Sequence, residues 1–111
     1  MRELNRIIVA DDEPFQRLGL RKILERLTPG SEIIECSHGH EVLTQINRSP
    51  VDLVITDIRM PLMDGIDVAR MLALSHPTIK LVFVSAYEEF GYAKLAIDNG
   101  VQDYILSKRK K

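Results

Sequence analysis

The chemistry available to this sequence rests on its aspartates. In VDLVITDIRMPLMDG, residues 51–65, Asp57 follows an apolar, β-branched run and precedes Met60-Pro61 and an Asp-Gly pair. Asp11 and Asp12 follow RIIVA, residues 6–10, in the same way. An ionised group at the lip of a core strand is costly to bury, so it demands a partner or a task. If the two strands are neighbours, three carboxylates share one edge and raise one another's pKa until a cation neutralises them. A hard divalent ion answers that need: Mg²⁺ takes one or two carboxylates, keeps several waters and shares its shell with phosphate. Singly, each aspartate also reads as a helix N-cap or a loop solubiliser. The trio, with hydroxyl and basic residues at the remaining strand ends, points to a site.

The elements that must position these residues follow from periodicity. RIIVA (6–10), EIIEC (32–36), VDLVIT (51–56), KLVFVS (80–85) and QDYIL (102–106) read as strands. Residues 7–10 and 81–84 are apolar throughout and 53–56 are apolar but for Thr56, as in central strands of a parallel sheet covered on both faces. Leu20, Ile23, Leu24 and Leu27 recur at helical spacing, with Arg21, Lys22, Glu25 and Arg26 opposite and Pro14 suited to the first turn. Val42 and Ile46 mark a shorter helix, and Val68 and Leu72 one starting near Asp64. Phe90, Ala93 and Ile97 mark another, ending at Asn99-Gly100. Alternating strands and helices with right-handed crossovers predict an α/β fold, an open parallel five-stranded sheet with helices on both faces. Ligands bind such sheets outside the carboxyl ends of the strands. After Leu106 only five residues remain, too few for a final helix.

With 111 residues, 45% hydrophobic and 28% charged, one soluble domain is expected. The longest apolar runs are four or five residues, too short to span a bilayer, and RIIVADDEP turns acidic too soon for a cleavable signal. A cytoplasmic location is expected. Cys36 is the single cysteine and reads as a small buried apolar residue. A net charge of −1 predicts no broad attraction to nucleic acid or membrane, and the terminal KRKK reads as a solvated tail.

VADDEP, DLVITDIRMPLMDG, VSAY and GVQDYIL together resemble the receiver domain of two-component response regulators, from about Ile7 to Leu106. SAYEEFGYAKLAIDNGVQDYIL is most similar to receivers joined to AraC-type DNA-binding domains. The resemblance implies a flavodoxin-like (CheY-like) sheet of strand order 2-1-3-4-5. It implies a receiver over 1–106 with a basic tail at 107–111, accepting a phosphoryl group from a sensor histidine kinase. Asp57 would be the phosphoacceptor and, with Asp12, an Mg²⁺ ligand. Asp11 would hold a water on the metal, and the Arg59 backbone carbonyl would complete the protein's share of the shell. Ser85 would hydrogen-bond the phosphoryl group and Tyr104 would be the aromatic switch. Such a protein signals rather than turns over substrate. DNA is reached only through an output domain outside these residues.

The sequence departs from that pattern at DYILSKRKK, where Ser107 stands at the usual lysine position. Exchanging an ammonium for a hydroxyl loses a charge-assisted hydrogen bond worth roughly 1.5–3 kcal/mol. Lys108, one residue late, would point to the opposite face of a regular strand. The coincidence with the missing helix suggests a truncated or altered C-terminus, and a bare sheet face predicts low stability or self-association, there or through the fourth helix and fifth strand. Three rivals remain. A receiver-like module could signal without phosphorylation. A hydrolase of the haloacid dehalogenase type also uses an aspartyl phosphate, but its nucleophile ends the first strand in Asp-x-Asp. Cys36, His38 and His40 alternate as a zinc set would but lack a fourth ligand, and His76 beside Pro77 reads as loop.

Overall fold

The computed structural model describes residues 6–85, with Ser85 as backbone only, and the backbone of Asp103–Leu106. Five strands and three helices lie in this region: β1 (Arg6–Ala10), α1 (Pro14–Leu27), β2 (Glu32–Cys36), α2 (Gly39–Arg48), β3 (Leu53–Thr56), α3 (Gly65–Ser75), β4 (Lys80–Ser85) and β5 (Asp103–Leu106). The strands form one sheet of order β2-β1-β3-β4-β5, and every neighbouring pair is parallel. This is the expected topology. The helix expected around Phe90, Ala93 and Ile97, the expected absence of a final helix, and Ser107 and Lys108 lie outside the described residues.

The strand pattern explains the two-sided core. Alternate residues of a strand face opposite ways, so β1 sends Ile8 and Ala10 to one face and Ile7 and Val9 to the other. The first face packs under α2 and α3, through Val42, Ile46, Ile66, Val68, Ala69 and Leu72. The second packs under α1, chiefly through Leu24 with Leu20 beside it. Burying each such side chain stabilises the fold by roughly 1.5–3 kcal/mol.

One expectation needs correction. The predicted apolar stripe of α1 is narrower than the sequence implies: Leu20 and Leu24 face the sheet, but Ile23 is 48% and Leu27 71% exposed. A helix laid on a sheet buries the i, i+4 ridge that meets it, and residues one step around the cylinder turn away.

Polar interactions fix the ends. Glu13 caps α1, its carboxylate accepting from the Phe15 N–H, and Pro14 takes the first turn as predicted. Asp64 and Asp67 form a reciprocal capping box at α3. At the amino edge of the sheet Arg6, its side chain 13% exposed, donates to the Gln45 and Ser49 carbonyls at 3.1 Å each, to Gln45 Oε1 at 2.9 Å and to Glu32 at 3.1 Å. It thereby ties β1 to β2 and to the end of α2. On the α1 side, Glu35 of the edge strand β2 accepts from Arg17 at 2.8 Å and from Arg21 at 2.9 Å, which holds its carboxyl below the usual range.

Candidate functional site

Strand order brings the aspartates together. β1 and β3 are neighbours with Ala10 opposite Thr56, so Asp11 and Asp57 each lie one residue beyond a registered pair. The ladder continues past the strands: the Asp57 N–H donates to the Ala10 carbonyl at 2.9 Å and the Asp11 N–H to the Cys36 carbonyl at 3.0 Å. This is the point where strand order reverses, with β2 on one side of β1 and β3 on the other, and where the crevice of such a sheet opens. Asp11, Asp12 and Asp57 offer carboxylate oxygens that all lie within 4.8 Å of one another.

Their surroundings differ. Asp11 is 1% exposed, whereas Asp12 is exposed and Asp57 lies between. The Asp57 carboxyl is pushed up to about 6, first by burial and then by the Asp11 charge, with Asp12 adding to it. Backbone N–H groups of Ile58 and Arg59 pull the other way, the former donating to Asp57 Oδ1 at 2.7 Å. Thr56, fully buried, donates its hydroxyl to the Asp57 carbonyl at 2.8 Å. These contacts set the side-chain direction of Asp57 while leaving its charge poorly solvated.

The segment after Asp57 is clamped. The Gly65 N–H donates to the Ile58 carbonyl at 2.8 Å and the Gly39 N–H to the Met63 carbonyl at 2.9 Å. A Cβ at Gly65 would run into the Asp57 carbonyl oxygen, so this backbone approach requires glycine. Leu62, between them, holds φ at 68° and is 80% exposed. Pro61 introduces a tight turn, with the Met63 N–H donating to its carbonyl at 2.7 Å, and the strained residue is the one after it.

The donor set tests whether a cation suits the site. Three hard oxygen donors, without imidazole or thiol among them, match Mg²⁺ rather than a soft metal. The raised pKa of Asp57 is the mark of negative charge that lacks compensation. None of the three is an N-cap; those places belong to Glu13 and Asp64 at α1 and α3. Cys36, His38 and His40 behave otherwise. Cys36 is 2% exposed and burial pushes its thiol up to about 12, while His38 caps α2 and meets His40 edge-on with centroids 6.0 Å apart. Among the described residues, the aspartate trio is the set of three that could hold a metal.

Ser85 ends β4 at the same carboxyl edge, and Tyr104 lies in β5 opposite Phe83. His76 caps the carboxyl end of α3. Sequence reasoning missed Gln16 and Arg17. Gln16 Nε2 donates to Asp11 Oδ2 at 2.5 Å, and Arg17 Nη1 to the Asp11 carbonyl at 2.7 Å. The signal for Gln16 was present: it stands four residues before Leu20 and eight before Leu24, a polar residue on the buried ridge of α1.

Residues 7–110 match the response regulator receiver domain family, and the chain belongs to it. It is a receiver domain of two-component response regulators. It is 45% identical over 101 residues to an uncharacterized response regulatory protein of Vibrio cholerae, covering 89% of this chain and 38% of that protein. It is 34% identical over 102 residues to the uncharacterized transcriptional regulatory protein YesN of Bacillus subtilis, covering 91% of this chain and 28% of that one. The chain therefore spans well under half the length of these curated relatives. Among solved structures, a LuxR-family DNA-binding response regulator from Staphylococcus aureus superposes with a TM-score of 0.85 at 29% identity, covering 96% of this chain and 89% of that one. A CheY-like receiver domain from Methanospirillum hungatei shares the fold, with a TM-score of 0.86 at 24% identity over 97% of this chain and 85% of that one. Among the described residues, no helix is long and apolar enough to cross a membrane.

Proposed function

We propose that this chain is a phosphorylation-dependent switch in which Asp57 accepts a phosphoryl group from a sensor histidine kinase. The observation that carries this reading is the meeting of Asp11, Asp12 and Asp57 at the β1/β3 crevice, where burial and the Asp11 charge push the Asp57 carboxyl up. An Asp57 carboxylate oxygen attacks phosphorus in line with the leaving group, and the bond from phosphorus to the donor's imidazole nitrogen breaks with its electron pair passing to that nitrogen. A carboxyl titrating near 6 is mostly ionised at neutral pH yet more basic than a free aspartate, which suits a nucleophile. Asp12, Asp57 and the Arg59 carbonyl would hold Mg²⁺, with Asp11 reaching it through water. When bound, the ion supplies positive charge between the nucleophile and the incoming anion.

The hydroxyl of Ser85 would accompany the phosphoryl group, and Tyr104 would respond to that movement, biasing an equilibrium between two conformers. Ser107 replaces the usual lysine, and Lys108 is the candidate substitute. The receiver unit would occupy 1–106, act in the cytoplasm and signal rather than turn over a substrate. Its output would be a DNA-binding domain outside these residues, a reading supported by relatives named as transcriptional regulators. Against the hydrolase alternative, the carboxylate at the end of β1, Asp11, already accepts a donor on each oxygen, from Glu13 N–H and Gln16.

Incubation with Mg²⁺ and acetyl phosphate tests this reading. Label should enter the wild-type chain and be absent from Asp57→Asn; label that survives Asp57→Asn removes the assignment. Label that appears only with Ser107→Lys would mean that the serine cripples the site. Size-exclusion chromatography over a range of concentrations tests self-association, which a single monomer peak throughout would rule out.

A further inference from the structure

We propose that Gln16 is a positioning residue that presets the Asp11 carboxylate for a hard divalent cation, an inference that rests on the reading of the acidic pocket above. Gln16 occupies the first of three ridge positions, 16, 20 and 24, by which α1 meets the sheet; Leu20 and Leu24 pack on Ile7, Val9 and Ile33. That anchorage fixes where the amide can reach, and Nε2 donates to Asp11 Oδ2 at 2.5 Å. The other oxygen, Oδ1, accepts the Glu13 N–H at 2.8 Å. One donor on each oxygen sets the rotation of the carboxyl plane, and Arg17 holds the residue's backbone by donating to the Asp11 carbonyl at 2.7 Å. Arg17 is itself anchored to Glu35 at 2.8 Å.

The chemistry of the amide decides its role. Asp11 is 1% exposed and faces two further carboxylates, so water does little to orient it. A lysine or arginine at position 16 would orient it equally well, but would neutralise the pocket and compete with the cation. A glutamate would add repulsion without a donor. An amide donates a hydrogen bond and carries no charge, so the carboxylate is fixed while its full negative charge stays available. Partners of this kind around metal sites typically contribute about 10-fold or more in metal affinity.

The test is calorimetric titration of the 111-residue chain with Mg²⁺ alone, comparing wild type with Gln16→Met, Gln16→Lys and Asp12→Ala, beside urea unfolding in EDTA. Methionine keeps the length and loses the donor; lysine keeps a donor and adds charge. Gln16→Met is expected to weaken Mg²⁺ binding about 10-fold, and Gln16→Lys at least as much while raising the metal-free urea midpoint. A residue that merely helps the fold would instead lower the metal-free midpoint and leave the affinity of the folded chain unchanged. Wild-type affinity in folded Gln16→Met overturns the proposal, and if Gln16→Met fails to fold, Gln16→Leu, which also lacks the donor and adds no charge, decides it. If wild type shows no saturable binding, or Asp12→Ala binds as wild type does, the acidic-pocket reading falls and takes this inference with it. Loss in Asp12→Ala with no change at Gln16 removes the inference alone.

Discussion

Replacing the proposed phosphoacceptor should make the metal-free protein more stable. The Asp57 carboxyl moves from 3.8 to about 6 on folding, through burial and the Asp11 charge. Each pKa unit corresponds to about 1.4 kcal/mol. The shift would therefore amount to about 3 kcal/mol for a fully enclosed group, and about 2 kcal/mol after allowance for its partial exposure. The direction follows from proton uptake. The folded state keeps its proton up to a pH of about 6, whereas the unfolded chain releases it near 3.8, so between these values folding binds a proton. Stability consequently falls as pH rises through that window, and the full penalty applies above it. In Asp57→Asn the substituted amide carries no charge, and its carbonyl oxygen could still accept the Ile58 N–H now bonded to Oδ1. In urea titrations with EDTA at about pH 8, Asp57→Asn should gain about 2 kcal/mol, a midpoint shift of about 1 M. At a pH of about 4 or below the two proteins should coincide. Mg²⁺ should then stabilise wild type more than the variant, because a ligand of the folded state alone raises stability with its concentration. A variant less stable than wild type at high pH, or a gain independent of pH, would refute the claim that Asp57 is held under electrostatic strain.

Three further outcomes follow from the packing. Arg6→Ala should lower the unfolding free energy by about 3 kcal/mol, because it strips donors from the Gln45 and Ser49 carbonyls and from Gln45 Oε1. Arg6→Lys should recover only part of this in the same urea titration, since an ammonium cannot reproduce the planar fork. Gly65→Ala should cost about 2 kcal/mol or more and depress acetyl phosphate labelling, because its Cβ meets the Asp57 carbonyl oxygen; wild-type labelling with a wild-type midpoint would show that the backbone relaxes freely. Leu62→Asn should stabilise by up to about 1 kcal/mol by relieving a leucine at φ 68°, read from the thermal midpoint.

The sheet and its acidic edge were legible because both depend on local pattern plus one topological rule. β1 and β3 announce themselves as apolar runs buried on both faces, and the rule that ligands gather at carboxyl ends then selects Asp11, Asp12 and Asp57. What escaped depends on placement around a helix axis or on partners distant in sequence. Gln16 joins the site because the 16, 20, 24 ridge faces the sheet, and the same geometry turns Ile23 and Leu27 outward despite their suitable spacing. Arg6 reads as an ordinary charge before a strand; its role appears only when β2 and the carboxyl end of α2 arrive beside it. The left-handed backbone at Leu62 is carried by a residue type that gives no hint of it.

The two edges of the sheet divide stability from function. At the amino edge Arg6 is placed among carbonyl, amide and carboxylate acceptors, so a partly buried charge is compensated and knits three elements together. At the carboxyl edge carboxylates are brought against one another, and Asp57 is made harder to ionise than a free aspartate. Such an arrangement opposes folding unless something outside the chain relieves it, and it survives because the surrounding backbone is fixed independently of the charges. The β1–β3 ladder, the Gly65 and Gly39 contacts and the α1 ridge each place part of the pocket without help from any carboxylate. A cation or a phosphoryl group would then meet charges already assembled, and its binding energy would go into selecting a conformation rather than gathering ligands.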